Sequence, residues 1–282
     1  MRQNESWTIL DTLCGTAALG RHTVVTPAFE IVRYRSLLRN LVAKDLKVRY
    51  KNSALGFIWS LLNPLLLMLV FTFVFTQLLD QQIPDFPVFV LTALLPWTWT
   101  ATAVAIGTGS LVDNAPLINK VYFPRYLLPV SVVLSSGMNF VLGLPALFLL
   151  MAVFERPFTQ WMLYIPVIIL VQGIFLMALV LFLAPLHVHL RDTMVVVDVG
   201  LTAWFFLTPI LYSIEMVVPN LAAWMYRINP MAAIVAEYRT ILYAGGVPDP
   251  LFMGRTGATA LVLLILAYLF FRRLNRNIGE HL

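Results

Sequence analysis

The 282 residues are 60 % hydrophobic and only 12 % charged, whereas a soluble globular domain is about half apolar with about a quarter charged residues, so the composition excludes an ordinary soluble protein. The apolar residues form continuous runs instead of alternating with polar ones, which excludes a membrane β-barrel. The net charge of +5 comes from basic residues at the ends of apolar runs, where it sets membrane orientation and does not indicate nucleic-acid binding. We predict an all-α polytopic membrane protein. Cys14 is its single cysteine, so no internal disulfide is expected.

Residues 1–32 are interpreted as a cytosolic lead-in, because they hold no apolar stretch long enough for a signal peptide. The segment that follows, residues 33–52, is strongly basic, with seven Lys or Arg and one acidic residue in 33–51. Its apolar residues recur at helical spacing. This pattern predicts an amphipathic helix on the inner membrane surface. The helix serves either as a topology anchor alone or, since an anchor rarely needs five turns, as a docking surface for a cytosolic partner.

Residues 53–282 are predicted to form a transmembrane domain, because a helix needs about 20 apolar residues to cross the hydrocarbon core. Six runs have about this length, at about 55–79, 87–110, 126–154, 162–186, 194–212 and 254–271. With the N-terminus inside, four basic residues lie on outer segments, and thirteen lie on inner ones, namely the seven above plus Lys120, Arg125, Arg191, Arg272, Arg273 and Arg276. This asymmetry predicts that both termini are cytosolic.

The segment between the fifth and sixth runs, about 214–246, is predicted not to span. Pro219 and the Asn229-Pro230 pair cut it into pieces of about nine and fourteen residues, which reach roughly 14 and 21 Å. Asn229 is expected to cap the second piece, with Pro230 in its first turn. We predict a re-entrant hairpin in the outer leaflet, whose charged residues either form an outer gate or lie at the interface as mutual pairs. The gate candidates are Glu215, Arg227, Asn229, Pro230, Glu237 and Arg239.

Catalytic and energy-converting motifs are missing from the sequence. None of the four lysines follows a glycine, so the chain has no phosphate-binding loop. His187 and His189 provide two ligands, too few for a metal site, and Asp198 is expected to play a hydrogen-bonded structural role. We therefore predict a chain that is not an enzyme and holds neither a metal nor a cofactor of its own. Any transport would need an external source of energy.

Four stretches resemble, in order, the polysaccharide and polyol-phosphate exporter permeases of type-2 ABC transporters. The first, "LVAKDLKVRYKNSALGFIWSLLNPLL", is similar to the family's interface helix and first span, and "NAPLINKVYFPRYLLPV" is similar to its cytosolic coupling turn. The stretch "HLRDTMVVVDVGLTAWFFLTPILYS" resembles the junction of the fourth and fifth spans, and "RINPMAAIVAEYRTILYAGG" resembles the outer gate hairpin. The resemblance covers about residues 30–275.

This resemblance implies a permease subunit that exports a lipid-linked glycan, such as O-antigen, capsule or teichoic acid, across the cytoplasmic membrane. It implies a homodimer that carries two copies of a separate ATPase, which binds ATP and Mg²⁺, with a channel at the dimer interface. The partners would thus be the ATPase, a second copy, the glycan and membrane lipids. Residues implied in ATPase coupling are Asn114, Leu117, Lys120, Val121, Tyr122, Phe123, Pro124, Arg39, Lys44, Lys47 and Arg49.

A glycan path would suit aromatic side chains, because their rings offer amphipathic surface to sugars at a low entropy cost. The candidates are Trp97, Trp99, Trp204, Phe205 and Phe206, and the alternative for each is an interfacial aromatic belt. Two other functions remain open. One is a small-molecule efflux permease of the same superfamily, which the absence of neighbouring glycosyltransferase genes would favour. The other is a membrane-embedded transferase, for which only Asp192, Asp198, His187 and His189 are available.

Overall fold

A computed structural model describes residues 33–50, 58–80, 83–214 and 219–275. The predicted lead-in and the gate candidate Glu215 lie outside these ranges. The regular secondary structure of the described residues is entirely helical, as predicted. The α-helices are α1 (Arg35–Tyr50), α2 (Ile58–Phe73), α3 (Phe86–Asp113), α4 (Ala115–Ile118), α5 (Leu127–Val153), α6 (Ile165–His189), α7 (Thr193–Leu207), α8 (Pro219–Ile228), α9 (Pro230–Leu242) and α10 (Pro250–Asn275). Residues Asn40–Leu282 form one compact unit, to which the packing below refers.

Five stretches of the described chain are long and apolar enough to cross a membrane. They are Leu61–Leu78, Phe86–Asp113, Leu127–Val153, Gln160–His189 and Pro250–Asn275, and they match five of the six predicted runs. The remaining predicted run, 194–212, forms α7, which has only 15 residues. At about 1.5 Å per residue it reaches roughly 22 Å, less than the ~30 Å of the hydrocarbon core. The sequence therefore predicts five long spans correctly and overestimates the length of this helix.

The helix α7 ends early because of the Thr208-Pro209 pair. The residue before a proline is driven away from helical backbone angles, and Thr208 is extended, with φ −97° and ψ 130°. Pro209 also has no N–H with which to continue the helical ladder. The chain from 208 to 213 is therefore irregular, and its carbonyl groups need partners outside a helix.

The core of the compact unit is built around α3. Of its apolar stretch 72 % is buried, against 11 % for the stretch containing α2 and 17 % for α10. Helix α3 packs against α2, α5, α6, α7 and α9. The second hairpin helix, α9, belongs to the same core, since residues 231–235 have no exposed surface. The broad apolar faces of α2 and α10 are left for lipid or for a partner to cover.

Candidate functional site

Two groups of coupling candidates meet at one hydrogen bond. Asn114 lies between the end of α3 and the start of α4, and its side-chain Nδ2 donates to the carbonyl of Ser110 at 2.8 Å. The Nζ of Lys44, on α1, donates to Asn114 Oδ1 at 2.7 Å. The basic helix and the turn after α3, which the sequence treats as two separate ATPase-facing elements, are thus directly connected in the structure.

The turn between α4 and α5 exposes some of its candidates and buries one. Tyr122 is 99 % exposed and Val121 is 51 % exposed, whereas the adjacent Phe123 is only 7 % exposed. Lys120 is also exposed, and Leu117 and Pro124 are half-buried. On α1, Arg39 and Lys47 are exposed, while the side chain of Arg49 lies outside the described part. The turn therefore presents Tyr122 as a free aromatic side chain and anchors itself through Phe123.

Asn229 is the N-cap of α9, as the sequence predicts. Its Oδ1 accepts from the backbone N–H groups of Met231 at 3.1 Å and Ala232 at 3.3 Å. The same side chain also fixes the end of α7, which the sequence does not indicate: Trp204 Nε1 donates to Asn229 Oδ1 at 3.0 Å, and Asn229 Nδ2 donates to Thr208 Oγ1 at 3.1 Å. One amide therefore joins α9 to the place where α7 unwinds.

Arg239 holds the unwound segment after α7. Its guanidinium donates to the carbonyl groups of Pro209, Ile210 and Tyr212, the last at 3.2 Å. Its Cζ lies 3.6 Å from the centre of the Phe89 ring on α3, a cation–π distance. A backbone carbonyl inside a membrane must be satisfied by protein, and the planar fork of five donors in arginine suits this task. Arg239 thus ties α3, α9 and the end of α7 together.

Glu237, on the same helix as Arg239, is a buried carboxyl group. It is 3 % exposed and, within the described chain, its Oε2 has no hydrogen-bond partner. Burial raises the pKa of this carboxyl from its ordinary value to about 7, with a further rise from the Asp249 carboxylate and an opposing effect of a hydrogen bond from the Asp249 backbone. Glu237 therefore gains or loses its proton near neutral pH, on a helix that is not one of the five long spans.

This raised pKa predicts a pH-dependent stability. Between the ordinary value of 4.5 and about 7, folded Glu237 holds a proton that the unfolded chain has lost. The free energy of unfolding is therefore expected to fall as the pH rises through this window and to level off above it. We expect Glu237→Gln to flatten that dependence when thermal unfolding of the detergent-purified chain is followed from pH 5 to 8. An unchanged slope in the variant would show that another group dominates.

The two hairpin helices differ in burial. While α9 is enclosed, α8 exposes Arg227, Trp224 at 58 % and Ile228 at 76 %. The guanidinium of Arg227 lies 5.7 Å from the Trp224 ring centre. The α8 helix therefore forms a surface of the chain, and Pro230 and the residues after it form part of the interior.

The aromatic candidates do not share one surface. Trp97 makes edge-to-face contacts with Trp204 at 5.7 Å and with Phe205 at 5.6 Å between ring centres. Trp99 faces another way, stacking on Phe140 at 5.2 Å. Trp97 and Trp99 are 6 % and 5 % exposed, so within one chain neither presents a ring face to a sugar, whereas Phe206 is 65 % exposed.

Asp198 is exposed on α7, and its carboxylate has no partner among the described residues. This differs from the hydrogen-bonded role expected from the sequence. Thr202, one turn further on, is also exposed and donates to the Asp198 backbone carbonyl at 3.0 Å. A carboxylate on a lipid-facing surface is costly. This side of α7 therefore requires water or a protein partner.

Comparison with known proteins supplies the family. The sequence profile described as "ABC-2 type transporter" matches residues 36–243. The chain belongs to the ABC-2 type transporter family. The ABC-2 match includes the α4 turn, α7 and the hairpin, and ends at the residue that follows α9. The family resemblance read from the sequence is thereby confirmed.

Two groups of relatives refine the ABC-2 assignment. The chain is 39 % identical over 256 residues to the O-antigen export system permease protein RfbA of Myxococcus xanthus, covering 89 % of this chain and 97 % of the relative. It is 33 % identical over 245 residues to proteins of the same name from Klebsiella pneumoniae, covering 86 % and 94 %. The similarity to these permease proteins thus extends over nearly their whole length.

Proposed function

We propose that the chain is the permease subunit of an ATP-driven exporter of a lipid-linked polysaccharide of the O-antigen type. The observation that carries this proposal is the near full-length similarity to RfbA permeases. The subunit would lie in the cytoplasmic membrane with both termini in the cytosol, and two copies would assemble with two copies of an ATPase.

The α4 turn supports an ATPase partner. A tyrosine that is 99 % exposed at the tip of a turn gains nothing from its own chain. Large aromatic side chains of this kind are typical anchors of protein interfaces. Tyr122 is therefore the residue that we place in the cleft of the ATPase, with Lys120 and Val121 beside it.

The faces of α2 and α7 support a second copy and a channel. On α2 the apolar face includes Leu69 at 57 % and Phe73 at 60 % exposure, and on α7 it includes Val195 and Val199 at 65 % and 66 %. Asp198 interrupts the α7 face, and a path filled with water would remove the cost of its charge. We place α7 along the channel, with Phe206 as the aromatic candidate best exposed to a passing sugar.

The hairpin supports an outer gate with a fixed and a movable half. Because α9 is buried in the core and joined to α3 through Arg239, it supplies the frame. The exposed α8 supplies the moving part, with Asn229 at the junction. We expect Arg239 to act on closure through the segment that it holds, and Glu237 through its place in the buried α9. Neither is expected to contact the glycan directly.

Removal of the gene tests the proposal. Cells without the chain are expected to lack the surface polysaccharide and to accumulate its lipid-linked form at the inner face of the membrane, since synthesis continues while export stops. Chemical analysis of extracted lipids and surface staining measure both. Full-length glycan at the surface would contradict the proposal. A lipid carrier bearing an incomplete glycan would favour a transferase, and unchanged glycan with increased sensitivity to a toxic compound would favour small-molecule efflux.

A further inference from the structure

From Asn40 onward, α1 is joined to the transmembrane helices chiefly through side chains. No other described helix runs along this part of α1 in extended backbone contact. Beyond residue 40, a cavity of about 370 Å³ separates it from α3 and α5, lined on the α1 side by Lys44, Asp45 and Val48. Polar contacts across the cavity include a hydrogen bond from Lys44 Nζ to Asn114 Oδ1 at 2.7 Å and one from Ser131 Oγ to Asp45 Oδ2 at 3.4 Å. Each of them involves one charged group, and the first is the shorter.

The Lys44 ammonium lies where the helix α3 ends. Helix C-termini carry partial negative charge from unpaired carbonyl groups, which favours a nearby cation. Asn114, its acceptor, is itself fixed to the last turn of α3 through Ser110. Asp113 lines the same cavity and adds negative charge. Lys44 is exposed, and these features favour a position of its head group against the end of α3 over extension toward another protein.

We propose that Lys44 is a positioning residue that connects α1 to the α4 turn, so that the two ATPase-facing elements move together. This inference rests on the proposed function and reassigns Lys44 from a contact of the ATPase to a link within the permease. Without the link, force applied to α1 would move it into the cavity. With the link, the same force reaches Asn114 and the 28-residue helix α3 at the centre of the core.

Matched variants on one helix test the proposal. Lys44→Met removes the donor and keeps most of the side chain. Arg35→Met removes another exposed charge of the same helix, one that is not among the residues implied in ATPase coupling. The permease–ATPase complex is reconstituted in vesicles, and three quantities are measured: the affinity of the ATPase, the rate of ATP hydrolysis and the amount of glycan exported per ATP.

For Lys44→Met we expect an ATPase affinity within about twofold of the parent and a loss of about tenfold in export per ATP, because one charge-assisted hydrogen bond is removed within the permease. Arg35→Met should preserve export per ATP. Lys44→Arg, which can still donate to Asn114, should restore much of the coupling. Combining Lys44→Met with Asn114→Leu should add little further loss, since both remove the same bond.

Two results would overturn the inference. A weakened ATPase affinity in Lys44→Met, with normal export per ATP in the complexes that still form, would show that Lys44 contacts the ATPase directly. Normal values for all three quantities would show that the hydrogen bond plays no part in coupling. Neither result affects the proposed function, which would fail instead if the parent chain bound no ATPase and exported no glycan.

Discussion

Replacing Tyr122 with serine is expected to weaken the binding of the ATPase by about thirtyfold or more, because an anchor aromatic residue contributes about 2 kcal/mol or more at an interface. The side chain is 99 % exposed, so the variant should insert and fold as the parent does, with the same unfolding temperature. Binding of the purified ATPase to the permease in detergent measures the first effect, and thermal unfolding measures the second. Export in cells should fall accordingly.

Two variants serve as controls for Tyr122. Tyr122→Phe keeps the ring and loses only the hydroxyl, so its affinity should remain close to that of the parent. Phe158→Ala removes a side chain of 58 % exposure from the loop between α5 and α6, on the proposed outer side, and should leave ATPase binding unchanged. Full affinity in Tyr122→Ser would mean that the ATPase is held elsewhere.

Replacing Arg239 with methionine is expected to have the largest effect at the outer side. The change removes the donors for the carbonyl groups of Pro209, Ile210 and Tyr212 and the cation above Phe89. Each buried acceptor left without a partner costs about 1–3 kcal/mol. We expect a lower unfolding temperature and, in complexes that still assemble, leakage of a small charged solute from vesicles without ATP. Arg239→Lys should recover only part, since lysine lacks the planar fork.

Arg227→Met is the matched control for Arg239. Arg227 is exposed on α8 and interacts with Trp224, also exposed, so its loss should change neither the unfolding temperature nor the leak substantially. If Arg239→Met inserts, assembles with the ATPase and remains as tight as the parent, Arg239 does not hold the outer side closed. A lower stability without leakage would assign Arg239 to folding alone.

Local chemistry explains what could be predicted from the sequence. The apolar runs indicate the long helices because each needs only its own residues to show the necessary length. The cap formed by Asn229 follows from its position before Pro230, and the division of the hairpin follows from its prolines. These features depend on neighbours along the chain, and the structure agrees with them except in the run 194–212, where α7 is shorter than predicted.

Contacts between distant elements explain what could not be predicted. Tyr122 and Phe123 are adjacent aromatic residues, yet one is exposed and the other buried, a difference that only the packing of the turn decides. Arg239 pairs with carbonyl groups that become available because α7 unwinds at Thr208, thirty-one positions earlier in the chain. The exposure of Asp198 likewise depends on which side of α7 meets α3, and no periodicity of the sequence reveals it.

The slight burial of α2 affects how long a newly made subunit survives before it assembles. A first span with 11 % of its apolar stretch buried gains little from its own chain, so its position depends on what it meets afterwards. In the proposed dimer, association would stabilise the folded subunit by mass action. Subunits that find no partner should therefore be the ones that membrane proteases remove. The amount of exporter in a cell would then fall more than proportionally when synthesis of the chain is reduced.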